Sequence, residues 1–157
     1  MKSLKTTYIS HGPEETAHIA QTLSGLLHTR DVIFLKGELG AGKSTFARAL
    51  IQALCGPHTE VPSPTFTLVQ TYETPKFVLW HFDLYRLQHS EEVYELGIEE
   101  AYASGVSLIE WPERLGSYLP KSYLEIELSY GAHENERILR LKGKLDPETN
   151  TELTKEK

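Results

Sequence analysis

The stretch GELGAGKST, Gly37 to Thr45, constrains this chain more than any other, because it fits the pattern G-x-x-x-x-G-K-[ST] at every fixed position: Gly37, Gly42, Lys43 and Ser44. At ordinary residue frequencies a chain of 157 residues meets that pattern by accident in about one case in a few hundred. The flanks fit it too. Val32 to Leu35 is a continuous apolar run, as expected of a strand buried on both faces of a parallel sheet. From about Lys43 onward, Phe46, Leu50, Ala53 and Leu54 recur at helical spacing until Gly56 and Pro57 stop the helix. Strand, glycine loop and helix is the order in which such a loop works. Glycines bend the chain tightly and aim N–H groups at phosphate oxygens, and the helix N-terminus adds a partial positive charge. The stretch reads as a polyphosphate site made of Gly37, Glu38, Leu39, Gly40, Ala41, Gly42, Lys43, Ser44 and Thr45. Lys43 is expected to reach the β and γ phosphates, Ser44 to offer its hydroxyl to a magnesium ion, and Thr45 to lie near the α phosphate. The rival reading is a glycine-rich turn with an incidental lysine.

The rest of the chain alternates strands and helices. Leu4 to Ser10 reads as a strand, and Gly12, Pro13, Glu14 and Glu15 open a helix with Ile19, Leu23, Leu26 and Leu27 on one face. Two prolines at alternate positions, Pro62 and Pro64, keep the segment around Ser63 and Thr65 out of a helix. Beyond it, alternation from Phe66 and Thr67 to Thr71, a turn at Glu73 to Lys76 and an apolar run from Phe77 predict an antiparallel hairpin grafted onto the sheet. His89, Ser90, Glu91 and Glu92 supply a cap and acidic first turn for a helical region carrying Val93, Leu96 and Ile98. Val106 to Ile109 reads as another buried strand, and alternation from Leu124 to Leu128 followed by Ile138 to Leu141 predicts a closing hairpin with no visible chemistry. The fold class is α/β: one P-loop NTPase-like domain over residues 1–144, with a mainly parallel central sheet flanked by helices and antiparallel hairpin additions. Residues 145–157 read as a loose polar tail.

Two carboxylates follow apolar strands. His81 and Asp83 stand two apart, so on a strand they share a face, and a carboxylate at a strand end can hold a metal or its waters, as a Walker-B acid does. Glu110 follows Ile109 at the position where P-loop enzymes place a second acidic group, usually an Asp. Asp83 and Glu110 thus join Ser44 as candidate metal ligands, and Lys43, Asp83 and Glu110 are the candidate catalytic set. His81 reads either as a buried, hydrogen-bonded histidine or as a catalytic one. Arg86 reads as a salt-bridge partner, a transition-state cation or part of an interface. Ser63 and Thr65 read either as turn chemistry or as a switch loop that senses the γ phosphate. The acids Glu91, Glu92, Glu95, Glu99 and Glu100 read as a solvated face or as a surface for a basic partner.

Composition excludes several classes. A chain of this size folds as one domain without staples, and Cys55 alone allows no internal disulfide. One cysteine and scattered histidines give no zinc spacing. A formal net charge of -6 argues against a stand-alone RNA binder. Lys2 and Lys5 have no apolar run behind them, and no segment approaches the roughly 18 uncharged residues that cross a bilayer. The expectation is a cytoplasmic chain with no membrane partner.

Taken in series, GELGAGKST, SPTFTL, HFDLYR and EWPER resemble the bacterial TsaE (YjeE) family, small P-loop ATPases of the tRNA threonylcarbamoyladenosine pathway. The resemblance covers residues 31 to 115 well, the N-terminal strand and helix loosely, and the last 40 or so residues hardly at all. It implies ATP and Mg2+ as cofactors, and ATP hydrolysis while docked on a TsaB-TsaD complex. TsaD would then transfer the threonylcarbamoyl group to adenosine 37 of tRNAs that read codons beginning with A, and this chain would meet tRNA only through the complex. It also implies that Ser63, Pro64 and Thr65 form the switch-like loop, that Asp83 serves nucleotide turnover, and that Glu110 is a magnesium-associated acid beside Trp111, near the nucleotide. Ser10 to Thr16 would line the base. Ser44 stands where the family commonly has Thr and keeps the hydroxyl.

The mechanism expected is attack of water on the γ phosphorus, with the barrier lowered by positioning and charge neutralisation. Small P-loop proteins without an arginine finger turn over slowly until a partner completes the site. A nucleotide-dependent binding switch with incidental hydrolysis and a small-molecule P-loop kinase are the alternatives. The second needs a cationic lid, and Arg30, Arg48, Arg86, Arg114, Arg137 and Arg140 are scattered.

Overall fold

Strand β2 (Val32–Gly37) lies at the middle of the molecule, with parallel partners on both edges and apolar side chains on both faces. Ile33 and Leu35 point into one core and Val32 and Phe34 into the other, which is why the run is apolar without alternation. The computed structural model describes residues 3–38 and 40–144. The expected tail, 145–157, and Leu39 lie outside the described residues.

A single seven-stranded sheet has the order β1-β7-β6-β2-β5-β4-β3. β1 is Ser3–Ser10, β3 Val69–Glu73, β4 Val78–Asp83, β5 Val106–Glu110, β6 Tyr123–Tyr130 and β7 Arg137–Lys144. The four central strands, β6, β2, β5 and β4, run parallel. Antiparallel pairing extends the sheet at both ends, β3 on β4 at one and β7 and β1 on β6 at the other. The sheet is therefore mixed, with the parallel part confined to its centre.

Helices α1 (Pro13–Ser24) and α2 (Lys43–Cys55) cover one face. They bury Leu23, Phe46, Leu50 and Ile51 against Ile33, Leu35, Leu108 and Ile126. The other face takes α3 (Glu92–Glu95), α4 (Ile98–Ser104) and a 3-10 helix (Pro112–Tyr118), which bury Val93, Ile98, Ala101 and Leu115 against Phe34, Phe82 and Ile109. Among the described residues no helix is long and apolar enough to cross a membrane.

Three local readings are corrected. The helical region after Ser90 is two short helices, because Gly97 takes φ 90 and a Cβ there would stand 2.9 Å from the Trp80 ring. Neither Ser90 nor His89 caps it. Instead the Glu92 carboxylate accepts the backbone N–H groups of His89 and Gln88, each at 2.8 Å, and those bonds hold its pKa below the usual carboxylate range. Phe66 and Thr67 are in a turn rather than a strand. The Leu68 N–H bonds the Pro64 carbonyl at 2.7 Å and Leu68 itself takes φ 70, so pairing starts only at Val69. The 3-10 helix after Trp111 was not read from the sequence at all.

Phe46 is fully buried where α2 meets the sheet. Phe46→Ala should cost about 3–5 kcal/mol in urea unfolding, the range for an emptied aromatic site in a core that cannot collapse onto it.

Candidate nucleotide site

β2 marks the point where the strand order turns back, with β5 on one side and β6 on the other, and such points leave a crevice at the carboxyl ends of the strands. The glycine loop fills it. Gly37, at φ 153, passes so close to β6 that a Cβ would sit 2.6 Å from the Leu128 carbonyl oxygen. The chain then returns as α2, whose N-cap, Gly42, makes no side-chain capping bond. The first amides of a helix have no partner within it, so the start of α2 offers N–H donors and the positive end of its dipole to the crevice.

A cleft of about 540 Å3 opens there. Gly37, Glu38, Lys43 and Ser44 line it from the loop, Thr65 from the 61–68 segment, Asp83 and Glu110 from the ends of β4 and β5, and Trp111 from the residue beyond. A second cleft of about 320 Å3 shares Gly37, Glu38, Lys43 and Trp111 and reaches Glu127, Leu128 and Ser129 of β6. Asp83 and Glu110 are register partners on adjacent parallel strands, which sets their backbones about 4.8 Å apart and their side chains on the same face.

Lys43, Asp83 and Glu110 each have a defined neighbour. The Lys43 ammonium lies 5.4 Å from the centre of the Trp111 ring, a cation–π contact, and Tyr85 leans on the same ring at 4.9 Å. Trp111 takes φ 61 and ψ 53, a left-handed conformation that a bulky residue holds only where its surroundings impose it. The Tyr85 N–H donates to Asp83 Oδ1 at 3.1 Å, and the Thr65 hydroxyl donates to Asp83 Oδ2 at 3.2 Å. Ser63 and Thr65 share a further hydroxyl bond at 2.7 Å. His81 Nε2 meets Glu110 Oε2 at 2.8 Å.

The structure thus brings Lys43, Ser44, Thr65, Asp83, Glu110 and Trp111 to one cleft. Gly40, Ala41 and Gly42 shape the loop, with Ala41 fully buried and its N–H bonded to the Glu38 carbonyl at 3.0 Å. Thr45 is half-buried and lines neither cleft. Residues 10–16 also line neither cleft, although β1 ends at the same side of the sheet as the glycine loop. Arg86 stacks on Phe66 at 4.3 Å, a contact the sequence did not suggest. Sequence reasoning also missed Arg48 and Tyr85 in the larger cleft and the whole contribution of β6 to the smaller one. Arg48 was findable, since it stands one helical turn past Ser44 on the same face.

Oxygen donors from Ser44, Asp83 and Glu110 suit a hard cation. Among the described residues no group of three or more His, Cys, Asp or Glu side chains is arranged to hold a metal by itself. This donor set therefore fits Mg2+, which binds through one or two carboxylates and takes its remaining ligands from phosphates and water.

The sequence model of the family described as threonylcarbamoyl adenosine biosynthesis protein TsaE matches residues 10–139. The chain belongs to the TsaE family. It is 43% identical to the tRNA threonylcarbamoyladenosine biosynthesis protein TsaE of Rickettsia bellii, over 82% of this chain and 89% of that one. The TsaE of Bacillus subtilis is 35% identical over 88% and 85%. The crystal structure of Bacillus subtilis YdiB superposes with a TM-score of 0.77 at 26% identity, covering 99% of this chain and 98% of the other. TsaE likeness therefore extends past residue 115 into the closing hairpin, beyond the reach of the four sequence motifs.

The contact of Gly37 with β6 is the tightest constraint on the loop. Gly37→Ala should lower stability by about 1–3 kcal/mol in urea unfolding through imposed backbone strain. Gly25→Ala should be neutral or slightly stabilising, because Gly25 is already right-handed at φ -72 with only Thr22 O near, at 3.7 Å.

Proposed function

We propose that this chain binds and hydrolyses ATP with Mg2+ as a cytoplasmic component of the tRNA N6-threonylcarbamoyladenosine machinery, working on a TsaB-TsaD complex and meeting tRNA through it. The observation that carries the reading is a single cleft holding the uncapped start of α2, Lys43, the Ser44 hydroxyl and two carboxylates from neighbouring strand ends. The family supplies the pathway.

In this reading the amides at the start of α2, Lys43 to Thr45, grip the phosphates together with the free amides of the glycine loop, and Lys43 exchanges the Trp111 ring for the β and γ oxygens. Ser44, Asp83 and Glu110 would hold the cation, which would supply positive charge to offset that of the phosphates. Asp83 or Glu110 orients the attacking water. Attack in line with the β,γ-bridging oxygen forms the new P–O bond as the bond to ADP breaks, and the proton of the water leaves with the phosphate or to a carboxylate. Most of the barrier falls through fixed dipoles and charges that need no rearrangement during the reaction.

One arginine, Arg48, lines the larger cleft, and the reading assigns completion of the site to the partner complex. A second reading is favoured by the Thr65–Asp83 bond, which ties the 61–68 segment to the strand end that would face the γ phosphate. In it the nucleotide chiefly sets the position of this segment, and hydrolysis is incidental.

Lys43→Ala should reduce ATP hydrolysis by about 100-fold or more, measured as phosphate release. A variant that turned over normally would remove Lys43 from the mechanism. Wild-type turnover should be weak alone and rise on adding TsaB and TsaD, and equal, vigorous rates in both conditions would refute the partner's role. Asp83→Ala should still bind ATP. If it also supports tRNA modification through many cycles, the switch reading replaces the hydrolytic one.

A further inference from the structure

The two carboxylates of the cleft are not equivalent. Both oxygens of Asp83 already accept hydrogen bonds, from the Tyr85 N–H and the Thr65 hydroxyl. Glu110 has one oxygen engaged, Oε2 with His81, and among the described residues Oε1 has no hydrogen-bond partner. His81 is 2% exposed, and its other ring nitrogen, Nδ1, is buried with no partner among the described residues. A carboxylate only accepts, so the ring donates through Nε2–H, and Nδ1 is left as an orphaned polar atom. That arrangement is a poor way to stabilise a core, since an apolar side chain on this strand would leave no orphaned polar atom.

We infer that His81 is a positioning residue: it pins Oε2 of Glu110 through the 2.8 Å Nε2–H bond and so leaves Oε1 as the oxygen presented to the cation and its waters. The inference rests on the proposed function and deepens it. The physical need comes from the length of glutamate. Its extra methylene adds a rotatable bond that an aspartate at the same strand end would lack, and a carboxylate free to sample rotamers is a weak ligand. A second hydrogen bond to the same side chain removes that freedom. The geometry follows from strand pairing. His81 and Asp83 lie on one face of β4, Glu110 is register partner to Asp83 on β5, and the ring therefore reaches Glu110 diagonally from one pleat back. Outer partners that orient a metal-binding side chain typically change metal affinity or activity by about 10–100-fold when removed.

The test uses the purified full chain and a fluorescent N-methylanthraniloyl ATP, titrated in EDTA and in increasing Mg2+, alongside thermal melting and phosphate release. His81→Gln keeps an N–H donor at about the reach of Nε2, and His81→Asn does not. The Asn variant is expected to bind the analogue in EDTA as wild type does, while its half-saturating Mg2+ rises about 10-fold or more. The Gln variant should recover most of that loss. In a Glu110→Gln background His81→Asn should add no further shift, because the group it positions is already gone.

A folded Asn variant with wild-type Mg2+ dependence overturns the inference. So does a variant that loses affinity equally in EDTA and in Mg2+, or one whose effect persists undiminished in the Glu110→Gln background. Should His81→Asn fail to fold, His81→Leu carries the test: an apolar side chain removes the Nε2–H donor without leaving an orphaned polar atom in the core, and an unchanged Mg2+ requirement overturns the inference equally. Absence of any analogue uptake by wild type would instead remove the proposed function itself.

Discussion

The site depends on how firmly β2 is held. Parallel strands flank both its edges as far as Leu35, and apolar side chains from Val32 to Leu35 pack on both its faces. Pairing with β6 carries that hold on to Gly37. The loop leaves this anchor pressed against the Leu128 carbonyl and returns through α2, which docks Phe46 and Leu50 into the same core. The helix amides therefore face the crevice before any ligand arrives. An array of dipoles that is already aimed has no reorganisation to undergo when charge meets it.

The acidic side of the cleft is built from the same sheet but holds its groups differently. β4 and β5 end level with one another, so parallel pairing alone sets Asp83 beside Glu110. What distinguishes them is their neighbours. Asp83 is tied to the 61–68 segment, where Phe66 is 79% exposed with the Arg86 guanidinium stacked on its ring. Glu110 is tied instead to a buried ring on β4, inside the sheet. One carboxylate is coupled to a loop that lines the cleft and the other to the core.

Legibility followed sequence distance. The order β2, glycine loop, α2 was readable because every cue in it lies within some two dozen residues: an apolar run, glycines, a lysine, then helical spacing ended by Gly56. The strand readings at Val106 to Ile109 and Leu124 to Leu128 held for the same reason. Local readings failed for two reasons. The break at Gly97 is set beside the distant Trp80 ring, whereas the late start of β3 comes from a local turn, the Leu68 N–H on the Pro64 carbonyl with Leu68 left-handed, which alternation of apolar residues does not signal. The closing hairpin showed no chemistry in its sequence, yet β6 lines one of the two clefts, because its place beside β2 is written nowhere near Gly37.

The sequence by itself determined the phosphate-binding pattern, the α/β class, the two candidate acids and the family, since short-range spacing and composition carry those signals. Only the tertiary structure decided which acid has an oxygen to spare, that His81 bonds Glu110, that the Lys43 ammonium meets the Trp111 ring, and that Arg48 shares the cleft. Those outcomes come from strand order and register, which bring together residues as far apart as Lys43 and Glu127. Pairing energies of that kind are set by whole faces packing at once, and no local run of residues encodes them.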